Sequence, residues 1–201
     1  MKKWLVRLNK VTLLLTLSDI FTWGSFVVIS ALSGIYLAGK LGQDTVEFVG
    51  IGTGIYFITR AVFQIPIGIL TDRLNKDKDE IIILAIGSIL AGTPYLFYPH
   101  ITEPWHYFLL QFVFGFGISL NVVNWRKLFA LNIREGMEGK EYAFYDSALS
   151  TSTAIISILL GIVANISDKY FDMVMTLSGI IMLLASMWIL LIFKVKNRKS
   201  R

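Results

Sequence analysis

The sequence has no cysteine and only two histidines among its 201 residues. Without cysteine, disulfide frameworks and thiolate metal sites are excluded. His100 and His106 have no neighbouring carboxylates at the spacing of metal ligands, so they predict polar residues at a membrane edge rather than a metal site. Charged residues are scarce as well, at 16% of the chain. We therefore expect no metal and no cofactor.

What the chain has in abundance is apolar sequence. Hydrophobic residues make up 55% of it, and the mean hydropathy is +0.64. A water-soluble domain of this size does not reach such values, so composition predicts a polytopic, all-α membrane protein. No nucleotide-binding or catalytic pattern accompanies the apolar runs, and we expect no enzymatic activity.

Six apolar runs approach or exceed the length of about 20 residues that crosses a bilayer. They cover residues 11–38, 46–70, 81–99, 104–125, 142–166 and 173–193. The first run follows a basic start and is similar to a signal peptide, but it is longer and contains Asp19, so we expect a retained helix. Short connections leave no room for another domain, and residues 1–201 are predicted to form a single six-helix transmembrane domain.

Basic residues give these helices an orientation. Of the 19 lysines and arginines, all except Lys40, Arg60 and Lys169 fall on one predicted side of the membrane. The positive-inside rule then predicts that both termini are cytoplasmic. The formal charge of +5 reflects this asymmetry, and it does not indicate nucleic-acid binding. Trp125 and other aromatic residues near the ends of the runs are predicted to lie in an interfacial belt.

Two charges lie deep within predicted helices, where a charge is costly unless it faces a cavity or a partner. Asp19 and Arg60 have similar predicted depths, so they could form a structural ion pair, or at least one of them could face a solute pathway. Polar residues recur at helical spacing around both. The candidate pathway residues are Thr16, Asp19, Thr22, Arg60, Gln64, Gln111, Asn121 and Asn124.

A charged stretch, GILTDRLNKDKDE, connects the second and third runs. It resembles the loop between helices 2 and 3 of the major facilitator superfamily, which reads G-x-x-x-D-R/K-x-G-R-R/K. The matching residues are Gly68, Asp72, Arg73 and Lys76. Asn75 replaces the loop glycine, and asparagine still tolerates the left-handed turn. Asp77 replaces a basic residue, which leaves the second basic position in question.

This resemblance implies a fold of twelve helices in two six-helix halves, of which this chain matches the N-terminal half. It also implies a gating role for the loop residues. In the family an arginine precedes a G-x-G pair in helix 4, whereas here Gln111 precedes Gly115 and Gly117. In many proton-coupled members that arginine takes part in coupling, so this departure is functionally important.

A six-helix half would leave the polar faces of helices 1 and 2 uncovered. A second copy in the same orientation could cover them, which predicts a parallel homodimer with twofold symmetry. The resemblance then implies that Asp72 of one chain faces the start of helix 5 in the other. The expected dimer contacts on helix 5 are Asp146, Ser147, Ser150 and Thr151.

The resemblance implies a secondary transporter in the cytoplasmic (inner) membrane that works by rocking alternating access. Asp19 is predicted to couple transport to protons, because burial disfavours the charged form of a carboxylic acid. Aromatic and acidic residues favour organic cations or amphiphiles as the solute, with sugars next. Two alternatives are a non-transporting scaffold or accessory subunit, and one half of a longer transporter, which the basic tail KVKNRKSR disfavours.

Overall fold

The computed structural model describes residues 9–73 and 77–199, and this part of the chain consists of helices and short connections, without strands. Within these residues six helices are long and apolar enough to cross a membrane, as predicted. They are α1 Lys10–Leu41, α2 Thr45–Arg73, α3 Asp77–Phe97, α4 Pro104–Asn132, α5 Glu138–Ala164 and α6 Asp168–Lys199, with a short 3-10 turn at Tyr98–His100. Lys76 and Asn75 of the charged loop lie outside the described residues.

Most helices extend beyond the apolar runs that predicted them. α4 continues to Asn132 instead of ending near Trp125, and α5 begins at Glu138 rather than at residue 142. Hydropathy marks only the part of a helix that lipid surrounds, whereas backbone hydrogen bonding continues until a turn interrupts it. α1 stops at Gly42, whose φ of 73° lies in the left-handed region that glycine tolerates.

The two ends of the bundle have different cores. The termini end, where α1 begins, contains an aliphatic cluster with Leu15, Ile81, Leu128 and Ile192. The opposite end, which we call the far end, contains an aromatic cluster that includes Tyr36, Tyr95, Tyr98, Tyr107 and Phe114.

The helices do not pack in the order of the sequence. α3 lies against both α4 and α6, α2 packs on α4, and α1 packs on α6 and α5. α1 and α2, although adjacent in the chain, make few contacts. α2 and α5 are the least buried of the six spans, and we call their exposed sides together the open face of the bundle.

Glycines bring the backbones of α3, α4 and α6 together. A Cβ added at Gly87 would lie 2.6 Å from the backbone nitrogen of Asn121, and one at Gly117 would lie 2.6 Å from that of Ala91. Gly92 and Gly179 meet in the same way between α3 and α6. Small residues at helix crossings are the usual means of close packing in membranes, and here they fix α3 between its two neighbours.

Candidate functional site

A cavity of about 300 Å³ lies in the half of the bundle nearer the termini end, between α1, α4 and α5. Its lining combines one acid, one base, an amide and several aromatic rings. The lining residues are Asp19, Trp23, Val27, Asn121, Val122, Trp125, Arg126, Tyr145 and Leu149.

Asp19 is the central polar group of this cavity. It is only 2% exposed, and its Oδ2 accepts a hydrogen bond of 2.6 Å from the hydroxyl of Tyr145. Its second oxygen, Oδ1, has no hydrogen-bond partner among residues 9–73 and 77–199. A buried carboxyl group with one oxygen held and one oxygen unused can bind a proton or a polar group of a solute.

The neighbours of Asp19 are held by packing on α4. Tyr145 lies against the rings of Trp125 and Phe129, and the Trp125 indole donates a 3.0 Å hydrogen bond to the Leu15 carbonyl. Trp125 is therefore buried inside the bundle, and its place in an interfacial belt stays a prediction. Sequence reasoning did not single out Tyr145, because it lies only three residues after the predicted start of its apolar run.

Asn121 is the predicted residue that does line the cavity together with Asp19. Its Nδ2 donates a 2.8 Å hydrogen bond to Ser88, whereas its Oδ1 has no partner within the described part of the chain. Each of these two buried side chains therefore has one oxygen without a hydrogen-bond partner among the described residues, Oδ1 of Asp19 and Oδ1 of Asn121. Arg126, which is exposed, supplies the positive charge of the lining.

Other predicted pathway residues lie away from this cavity. Thr16 and Thr22 are buried on the inner side of α1, and the Thr16 hydroxyl donates to the Thr12 carbonyl of its own helix. Gln111 donates to the Tyr98 hydroxyl at 3.3 Å, and Asn124 accepts from Thr71 at 3.2 Å. Spacing shows that residues share a helix face, but it does not show whether this face meets a cavity or another helix.

Arg60 does not contact Asp19. Its Nη1 donates a 2.8 Å hydrogen bond to the Tyr56 hydroxyl, and its guanidinium lies 5.3 Å from the Tyr56 ring centre and 5.9 Å from that of Phe57. With the Gln64 amide oriented to satisfy both side chains, its oxygen accepts from Arg60 Nε and Nη2 at 3.3 and 3.2 Å. Of the two alternatives left open by the sequence, the ion pair is therefore not formed, and Asp19 and Arg60 belong to two separate polar sites.

This separation predicts additive effects on stability. A buried pair that loses one partner is destabilised by about 3–5 kcal/mol, and removal of the second partner restores part of that loss. Because Asp19 and Arg60 have different partners, we expect the losses in Asp19→Asn and Arg60→Gln to add in the double variant. Thermal unfolding of all three variants measures this, and a double variant more stable than either single one would show that the residues meet.

A second charged cluster joins α2, α3 and α4 at the termini end. Lys127 Nζ lies 3.2 Å from Asp72 Oδ1 and 2.9 Å from Glu80 Oε1, and it donates to the Thr71 carbonyl at 3.0 Å. Glu80 is buried, with a side chain only 4% exposed, whereas that of Asp72 is 78% exposed. Sequence reasoning used Lys127 as a topology signal and as one of three bases that could lie beside Asp72, and it did not single out Glu80.

The remaining predicted gate and dimer residues face outward. The space around Gly68 is open, since an added Cβ would meet only Val123, at 4.0 Å. Arg73 is exposed at the end of α2. The four predicted contact residues of α5 are also exposed on the open face of the chain: Asp146, Ser147, Ser150 and Thr151.

Comparison with known families decides what this bundle is. The model of the Major Facilitator Superfamily matches residues 13–201, which is nearly the whole chain. The chain belongs to the major facilitator superfamily. This confirms the resemblance carried by the 68–76 loop, and it makes this major facilitator a multi-pass membrane protein of a transporter family.

Curated relatives match a shorter part of the chain. The inner membrane transport protein YajR of Escherichia coli K12 is 35% identical over 72 residues, which is 34% of this chain and 15% of that protein. Uncharacterized transporters of two Buchnera aphidicola subspecies are 37% and 40% identical over 71 and 73 residues, 34% of this chain and 17% and 18% of theirs. The match spans less than a fifth of each relative. No solved structure matches the chain.

Proposed function

We propose that this major facilitator moves a small solute across the cytoplasmic membrane by secondary active transport, with both termini in the cytoplasm. The observation that carries the proposal is Asp19, a buried acid with an unused oxygen in a cavity beside Asn121 and Arg126. An ionisable residue inside a span is costly and in membrane proteins marks a solute or proton pathway. The relatives' names, which call them transporters, agree with this function.

In this mechanism Asp19 Oδ1 binds a proton when the cavity is open to one side and releases it when the cavity is open to the other. Tyr145 holds the second carboxyl oxygen throughout, so the acid keeps its position as its charge changes. Arg126 stabilises the deprotonated carboxylate by its charge, and Asn121 offers an acceptor to the solute. The proton site thus lies in a cavity that forms part of the solute pathway.

The proposed assembly is a parallel homodimer with twofold symmetry. α2 and α5 flank the open face, and both expose polar side chains there, which lipid does not satisfy. The residues that would meet lie at matching depths. Tyr145 of α5 packs on Trp125 and Phe129 of α4. Lys127, which lies between Trp125 and Phe129 in the sequence, contacts Asp72 of α2. Tyr145 and Asp72 are therefore at about the same level of the bundle.

A twofold axis along the membrane normal preserves depth, so Asp72 of one copy would approach the first turns of α5 in the other. α5 begins at Glu138, about two turns earlier, so at this level the Asp72 carboxylate would meet exposed side chains such as Ser147 and not the free amides of the helix N-terminus. Lys127 in its own chain already binds one oxygen of Asp72, which reduces the repulsion from Asp146. This contact would act as a latch that holds the cytoplasmic side closed.

A cysteine crosslink tests this arrangement. We expect Gly68→Cys combined with Ser150→Cys to form a disulfide between two chains, because Gly68 lies beside Val123 and Ser150 follows Leu149, which lines the cavity with Val122. The product would run as a dimer in non-reducing electrophoresis. The matched control is Gly50→Cys with Ser150→Cys, since Gly50 is also open but lies at the far end. A crosslink confined to one chain, or equal crosslinking by the control, would contradict the dimer.

Reconstitution in liposomes tests the transport function itself. We expect an imposed pH gradient to drive solute accumulation by the wild-type protein alone. A folded protein that moves neither protons nor solute would instead support the hypothesis of a non-transporting scaffold or accessory subunit. Activity only with a second, different six-helix chain would show that the sequence acts as one half of a larger transporter.

A further inference from the structure

Arg60 is a charge in the middle of a membrane span. At 1.5 Å per residue it lies about 20 Å from each end of α2. Its partners Tyr56, Phe57 and Gln64 are all neutral, and no carboxylate of the described residues lies within ion-pair distance of it. A cation at this depth normally faces a cavity or pairs with an anion, and the described chain supplies no such anion.

The packing of α2 shows which way Arg60 faces. Tyr56 and Phe63 are seven residues apart and lie on nearly one face of α2, where Phe63 packs on α4. Tyr56 stacks on Phe114 of α4 at 5.0 Å and contacts Phe26 of α1 at 6.1 Å. Arg60 donates to the Tyr56 hydroxyl and also lies over the exposed Phe57 ring, so its guanidinium lies between the buried contact of α1, α2 and α4 and the exposed side of α2.

Aromatic rings connect this position to the Asp19 cavity. Trp23 lines that cavity and packs edge-on against Phe26 at 5.4 Å, and Phe26 in turn contacts Tyr56. The contact between Phe26 and Tyr56 sets a common level for α1 and α2. From this level Asp19 and Arg60 both lie towards the termini end, and their depths differ by only about 5 Å. A row of ring contacts therefore connects the two polar sites.

The hydrogen bonding of Arg60 leaves donors for a ligand. A guanidinium has five N–H groups. Tyr56 takes one from Nη1, and Gln64 takes one each from Nε and Nη2, which leaves one on each terminal nitrogen. Two parallel N–H groups on a positioned guanidinium match the two oxygens of a carboxylate.

We propose that Arg60, positioned by Tyr56 and Gln64, is an oxyanion subsite of the transport pathway, and that the solute is an organic anion with one carboxylate beside an apolar or aromatic body. The proposal rests on the transport function above and names its substrate class. It replaces the organic cation or sugar favoured by the sequence, because a cation would be repelled by Arg60 and a sugar would leave its charge unbalanced. The apolar body lies on the surface formed by Phe57, Phe26 and Trp23.

Binding measurements on the purified full chain test this subsite without requiring transport. The probes are phenylacetate, phenylethylammonium and 2-phenylethanol, which share a phenyl body and differ in charge. We expect phenylacetate to bind and to raise the unfolding temperature, and the other two probes to bind about tenfold or more weakly, the loss that accompanies a charged hydrogen bond. Equal binding of the three probes, or no binding of phenylacetate up to its solubility, overturns the proposal.

Variants assign the binding to Arg60. Arg60→Gln is expected to lose the preference for phenylacetate, and Arg60→Lys to retain part of it, since lysine keeps the charge without the planar fork. Lys169→Gln, which removes one exposed charge at the far end, should bind as the wild type does. Selective binding by Arg60→Gln overturns the assignment. If phenylacetate binds but liposomes show no flux, the transport function is contradicted and the subsite is not. If proton-driven uptake selects phenylethylammonium, the subsite is contradicted and the transport function is not.

Discussion

Replacing Asp19 with asparagine is expected to abolish proton-driven accumulation in liposomes while solute exchange at equal pH continues. Asparagine retains a side-chain oxygen for the Tyr145 hydroxyl, so the local structure is kept. It cannot bind and release a proton, however, and a pH gradient then has no group on which to act. Uptake with and without the gradient, measured in the same vesicles, separates the two effects.

The control for this variant is Asp168→Asn, which neutralises an exposed acid at the far end of α6 and should leave accumulation unchanged. The internal pH of the vesicles, followed with a trapped dye, shows whether proton entry stops in Asp19→Asn. If that variant accumulates solute with the wild-type dependence on pH, Asp19 does not carry the proton.

Gly87→Val is expected to have the largest effect on folding. The added Cβ would lie 2.6 Å from the Asn121 nitrogen and 2.9 Å from the Gly117 carbonyl oxygen, both of them backbone atoms of α4. Backbone cannot rotate away as a side chain can, so α3 and α4 must separate, and with them the Asn121 side of the cavity. The cost is at or above the upper end of the roughly 1–3 kcal/mol that overpacking usually causes.

Thermal unfolding in detergent measures this loss, and we expect little folded Gly87→Val to be recovered. Gly54→Val is the matched control, because no atom lies within 4 Å of the Cβ it would add. Both variants place a β-branched residue inside a helix, so the difference between them isolates the crossing. Equal unfolding temperatures would mean that the α3–α4 contact is looser than the structure shows.

The sequence was sufficient to predict the six membrane-spanning helices, because hydropathy depends only on local composition, and it was also sufficient to predict the family. All six spans follow from apolar runs, and the 68–76 loop pointed to the correct superfamily. Helix ends were less predictable, since charged residues such as Glu138 continue a helix outside lipid. Sequence reasoning gave Trp125 no part in the site, whereas the structure buries it in the cavity lining.

Partners across helices were beyond sequence reasoning. Asp19 and Arg60 lie in helices that are adjacent in the sequence and at similar predicted depth, which left an ion pair open, but α1 packs on α5 and α2 packs on α4. The acid therefore meets Tyr145, and the base meets residues of its own helix. Periodicity identified both charges as unusual, but it contains no information about which helix lies beside which.

The non-sequential packing also bears on how the chain is made. α2 is synthesised well before α4, its main neighbour, and at about 5–20 residues per second the roughly 60 residues between their ends take about 3–12 seconds. During that interval Arg60 must enter the bilayer without its final surroundings. Tyr56 and Gln64, each four residues away on the same helix, can bind its guanidinium from the moment α2 forms. Side chains of α2 itself thus supply hydrogen-bond partners for the buried guanidinium as the helix enters the membrane.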